Sequence, residues 1–188
     1  MSLTKEKKYE FRKRLRIVHQ ANVRDNTLTA ETDELVLKQG LCIVLPPCSG
    51  EVILWGAKDF QDYLFTSMNL SSMLVYEKGQ GQNLVLILDD SIASDYIISV
   101  SDCVTVRGKT ERALAQALYA LEDKMNERKA PFLKKEEISH TFMFSPRMVH
   151  SGYRLDEYPD EHLAAIAHAG MDAILVFVKA TYLQLRFQ

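Results

Sequence analysis

The sequence is poor in the residues that staple or metallate small proteins. It has 188 residues and three cysteines, Cys42, Cys48 and Cys103, an odd number with no CxxC pair and no paired metal-ligand spacing. Pro46 and Pro47 stand between the first two. A disulfide framework and a thiol redox motif are therefore excluded, and reduced, mostly buried thiols in a cytoplasmic protein are expected. Long apolar runs are also missing. Ala173–Val178 is far shorter than the roughly 20 residues of a spanning helix, so no membrane partner is expected. The N-terminus is charged throughout and lacks the apolar stretch of a secretory leader. No HExxH motif occurs, and His162 and His168 would fall on opposite sides of a helix. Neither a metal nor a cofactor is expected.

Charge of one sign gathers only at the start, where Lys5, Lys7, Lys8, Arg12, Lys13, Arg14 and Arg16 outnumber Glu6 and Glu10. Phosphate binding needs such clusters, but the remainder is acidic and the net charge is −2. A solvated terminal segment is the expectation, with no nucleic-acid partner. Arg107-Gly-Lys-Thr110 has the tail of a P-loop, yet Cys103 stands where its first glycine belongs. A plain strand-to-helix turn is expected there. No internal repeat or low-complexity tract is visible.

What is present is 47% hydrophobic residues in short, ordered runs. Glu34–Leu37, Leu41–Leu45 and Val52–Gly56 read as short strands, and Asn83–Leu88 as a longer one. Asp59–Leu64 reads as helix, with the stretch to Met73 open between helix and loop. Gly79–Gln82 reads as a flexible loop before a strand. Tyr96–Val100 and Val104–Val106 predict a hairpin turned at Ser101–Cys103. Thr110 caps the longest helix, whose Leu114, Ala117, Leu118, Leu121 and Met125 recur on one face. Glu127–Lys135, broken by Pro131, reads as a linker.

Beyond it the pattern changes. Thr141–Ser145 and Met148–Val149 predict an extended segment. Pro159, Asp160 and Glu161 start a helix that Gly170 ends. Ala173–Val178 predicts a strand covered on both faces. Strand, helix and strand make one βαβ unit with a right-handed crossover. Such a unit cannot cover its own faces, so further chain after residue 188 is expected. Its unpaired apolar edge otherwise predicts a homodimer. The fold class expected is α+β: a small sheet with packed helices, followed by a truncated (β/α)-barrel start, with domains 1–138 and 139–188.

The run Tyr96–Val100, Val104–Gly108 and the Ala/Leu-rich helix with Ala113, Leu114, Ala117, Leu118 and Leu121 resembles the accessory domain of family 20 β-N-acetylhexosaminidases. A similar domain precedes the barrel of α-glucuronidases. Ser145–Met148 and Glu161–Asp172 then resemble barrel strand 1, helix 1 and strand 2. The resemblance implies a carbohydrate partner through a parent glycosidase, with N-acetylhexosaminides as substrate class. It places Arg147 where a guanidinium fork would reach sugar hydroxyls, and His150 at the same barrel mouth. The family's neighbouring Asp and Glu follow strand 4 and have no counterpart here, so the chain alone is expected to be catalytically silent. Asp156-Glu157 and Asp160-Glu161 are read as helix-start acids. Trp55 is a candidate for stacking on a sugar, with a core position the simpler expectation. The alternative is a stand-alone binding or interaction module without hydrolase activity.

Overall fold

The computed structural model describes residues 17–150 and 160–176. They belong to two compact units, His19–Met143 and a second that includes the described residues from Phe144 onward. The class is α+β.

The larger unit holds strands β1 (Glu34–Val36), β2 (Leu41–Val44), β3 (Ser72–Val75), β4 (Asn83–Leu88), β5 (Tyr96–Val100), β6 (Val104–Gly108), β7 (Phe132–Lys134) and β8 (Glu137–His140). Two helices join them, α1 (Glu51–Thr66) and α2 (Glu111–Arg128). Six strands form a mixed sheet in the order β3-β2-β4-β6-β5-β8. β3, β2, β4 and β6 run parallel, while β5 opposes both β6 and β8. β1 and β7 form a separate antiparallel pair.

Alternation along β5 and β6 turns Ile98, Val100, Val104 and Val106 into the core while Ser99 and Thr105 point the other way. β2 is buried throughout because a loop also covers its second face. That loop is pressed close at Gly79, where an added Cβ would lie 2.6 Å from Cys42 Sγ.

The two helices pack on one sheet face and touch at Gly56. A Cβ there would meet the Ala115 Cβ at 2.9 Å, so glycine permits the close approach. The N-terminus of α1 has no side-chain cap of its own. The Glu111 carboxylate supplies one from the start of α2, accepting from Gly50 N at 2.6 Å and from Ile53 N at 3.4 Å. α2 is capped as expected, with Thr110 Oγ1 accepting from Ala113 N at 3.1 Å. Its C-terminal end is tied to β1 by Arg128, whose Nε donates to Glu34 Oε1 at 2.6 Å.

The second unit contains β9 (Met148–His150), α3 (Asp160–His168) and β10 (Ala173–Leu175), with β9 and β10 parallel. This is the βαβ order read from the sequence.

Several expectations are corrected. Val52–Gly56 is helical, because its apolar residues belong to the 3.6-residue period that Ala57, Phe60 and Leu64 continue. Trp55 is 67% exposed on α1, where Lys58 Nζ lies 5.0 Å from its ring centroid. The supposed linker Glu127–Lys135 carries the end of α2 and all of β7, which needs β1 as partner. Extended pairing falls on Glu137–His140, not on Thr141–Ser145. Only Cys42 is buried; Cys48 and Cys103 are exposed, and none forms a disulfide. Phe177 and Val178 lie outside the described residues, as does Pro159.

Gly56→Val forces a branched side chain against Ala115 and should cost about 1–3 kcal/mol of unfolding free energy. Urea titration followed by circular dichroism reads this directly. Adding Ala115→Gly should recover part of the loss; an unchanged midpoint for Gly56→Val would show that the helices do not meet there.

Candidate functional site

In the βαβ unit, Arg147 directly precedes β9 and Asp172 directly precedes β10. Their side chains are 15% and 10% exposed. The guanidinium grips the carboxylate through Nε at 3.3 Å and Nη2 at 3.1 Å, and Arg147 N donates to Asp172 Oδ1 at 2.9 Å. Asp172 N and Ala173 N return bonds to the Arg147 carbonyl. This reciprocal clasp sets the two parallel strands in register at their amino ends. His150 is exposed at the carboxyl end of β9, opposite Leu175. The strand between them has three residues, so the two predicted sugar contacts stand roughly 10 Å apart along the chain direction. Asp160 and Glu161 form the first turn of α3, the position that favours acids. Asp156 and Glu157 lie outside the described residues.

The larger unit carries a cluster that no motif announced. His19 leads a segment laid over both helices, held by Asn22 N donating to Thr66 O and Arg24 N donating to Ser67 O. Its side chain is 7% exposed. Nδ1 lies 3.3 Å from Asp62 Oδ2, and Nε2 lies 3.7 Å from both Asp59 Oδ2 and Glu122 Oε2. Tyr63 meets the ring edge-on at 5.5 Å between centroids. Burial pulls the imidazole pKa down, but hydrogen bonding and charge from Glu122, then Asp59 and Asp62, outweigh it and leave the pKa raised. Burial, with the charges of Glu122 and Asp123, pushes the Tyr63 hydroxyl pKa far up. The three carboxylates thus favour the protonated form of the imidazole that lies against both helices. Imidazole and carboxylates are also donor types that a divalent cation accepts. Sequence spacing could not find it, since His19 and Asp62 are 43 positions apart.

Anion chemistry is limited elsewhere. The N-terminus of α1, a natural phosphate seat, already holds the Glu111 carboxylate. Lys109 N in the P-loop-like turn donates to Asp95 O, and Thr110 serves as a cap. The turn is a strand-to-helix connection, as read from the sequence. No helix among the described residues is long and apolar enough to cross a membrane.

No family model matches the chain, and no curated protein matches it in sequence. Solved structures do share the fold. A Streptomyces plicatus β-hexosaminidase mutant in complex with its product GlcNAc is 13% identical with a TM-score of 0.51. It covers 64% of this chain and 26% of its own. The same enzyme in complex with Thio-NAglucal also has a TM-score of 0.51 at 13% identity. CpGH84D is 13% identical with a TM-score of 0.54, covering 76% of this chain and 27% of its own. The chain thus spans about a quarter of the length of these glycoside hydrolases, and the likeness is one of fold.

Because the folded pKa of His19 lies above its ordinary 6.5, the stability it adds is full below that value and is lost as pH rises through the folded pKa. Unfolding free energy should therefore fall as pH rises above about 6.5. His19→Gln should flatten that slope in urea titrations. Equal slopes for the two proteins would contradict the cluster's role.

Proposed function

We propose that this chain is the non-catalytic amino-terminal portion of a carbohydrate-active hydrolase, with N-acetylhexosaminides as the favoured substrate class. The observation that carries this reading is the succession of units. A mixed sheet with two helices on one face comes first, then a parallel strand-helix-strand, and glycoside hydrolases share the fold over most of this chain. Capping of α1 by Glu111 of α2 weighs against a nucleotide-binding role. In this reading the larger unit is a packing domain, and the βαβ unit begins a (β/α)-barrel. His150 stands at a strand's carboxyl end, where barrel enzymes gather their sites, and Arg147 is held by Asp172 at the opposite end. In this reading Arg147 is a positioning residue that, with Asp172, sets the register of the two parallel strands.

A second reading has one observation behind it. Val52 and Trp55, one turn apart on α1, are 47% and 67% exposed, apolar side chains of the kind found at interaction surfaces. It favours an interaction module whose α1 face meets a partner.

Hydrolysis of aryl N-acetylglucosaminides separates the two. The 188-residue chain should show no turnover above blank, and the polypeptide translated through the reading frame beyond codon 188 should show it. Turnover by the short chain that survives repurification, or a parent polypeptide that binds a protein partner and hydrolyses nothing, would overturn the proposal.

A further inference from the structure

The strand order leaves a crevice on the larger unit. From β2 the chain passes through α1 to β3 on one side, then returns to place β4 on the other side of β2. From β4 it moves away toward β6 and β5. The connections after β2 and β4 therefore part, and open α/β sheets bind ligands at that place, outside the carboxyl ends of the strands. A cavity of about 560 Å³ lies there. That is within the roughly 300–1,000 Å³ of small-molecule sites.

The cavity is built, not left over. Val44, Val85 and Ile87 supply apolar lining from β2 and β4, Pro46 and Pro47 supply more where β2 ends, and Tyr76 and Lys78 contribute from the loop after β3. That loop must recross β2 to reach β4. It is pinned at Gly79, where the backbone touches Cys42 and bonds both ways with Asn83, Gly79 N to Oδ1 at 2.9 Å and Nδ2 to Gly79 O at 3.1 Å. The pin lies three residues beyond Tyr76, whose ring stays 60% exposed despite its apolar neighbours. An aromatic face held beside an apolar floor suits the C–H face of a sugar ring.

Charge narrows the ligand further. Among the described residues, Lys78 is the one charged side chain in the lining, and no acid lines the cavity with it. Arg107, on the strand beside β4, is paired with Asp89 at 3.6 Å. A phosphate favours a helix N-terminus, and the α1 N-terminus already holds Glu111. One lysine acting as a point charge complements a single carboxylate on an otherwise neutral ring. We propose that this crevice is a secondary, non-catalytic binding site for a sugar ring bearing one carboxylate, a hexuronate type of ligand. The proposal rests on the carbohydrate reading above and adds a site and a ligand class to it.

The test is an amide ¹H–¹⁵N titration of the 188-residue chain with glucuronate, run beside methyl glucoside and acetate. Glucuronate should shift Tyr76, Lys78 and Val85–Leu88 saturably at millimolar concentration. Methyl glucoside, which lacks the charge, should bind about tenfold more weakly, the loss expected for one charge-assisted contact. Lys78→Ala should weaken glucuronate binding about tenfold, to the level of methyl glucoside, and Tyr76→Ala should abolish the shifts, while the rest of the spectrum stays in place. Absence of saturable shifts at these amides overturns the proposal, and so does acetate matching glucuronate. Shifts that persist undiminished in both variants would also overturn it. Hydrolysis by the parent polypeptide is a separate readout, so loss of this site and loss of the glycosidase reading are distinguishable.

Discussion

Two helices share one face of one sheet in the larger unit, and their meeting point constrains much of what surrounds it. At Gly56 the backbone of α1 comes so close to Ala115 that no side chain fits between them. One turn away, the Glu111 carboxylate satisfies backbone donors of α1 while occupying the first turn of α2. A single anion thus faces the positive ends of two helix dipoles. With the helices fixed in this way, Tyr63 can reach across from α1 to the Glu122 carbonyl and the Asn126 side chain of α2, at 3.1 and 3.0 Å. The same crossing brings Asp59, Asp62 and Glu122 around His19. The crevice opens at the carboxyl ends of β2 and β4.

Much of this was legible in the sequence where one residue period dominated. The β5–β6 hairpin is rich in β-branched residues on either side of a Ser-Asp-Cys turn, α2 repeats its leucines and alanines every three or four residues, and the βαβ unit has its own start and stop residues. Reading failed where local pattern and tertiary need diverged. Val52–Gly56 looks like a strand because four apolar residues adjoin, yet Val52 and Trp55 point outward and only the wider helical period reveals α1. β7 has three residues and exists only through β1, nearly one hundred positions away in sequence. β8 carries Ile138 as its only aliphatic residue, too little to register as a strand.

The candidate sites divide in the same way. Arg147 and His150 were named from resemblance, and the structure adds the Asp172 partner that orients the arginine. The His19 cluster joins an amino-terminal segment to two helices and has no signature in spacing. The crevice is a property of strand order. Tyr76, Lys78 and Pro46 carry no motif, and only the return of the chain across β2 brings them together.

The account depends on the larger unit being a self-sufficient packing domain, since its buried apolar cluster runs from Leu35 to Leu133 within it. The most direct test is urea unfolding of a polypeptide limited to His19–Met143, followed by near-ultraviolet circular dichroism and Tyr63 side-chain resonances together. The account predicts one cooperative transition, coincident by both probes, with the Tyr63 hydroxyl protected from solvent before it. A broad, non-coincident transition, with no near-ultraviolet signal in the absence of urea, would contradict it.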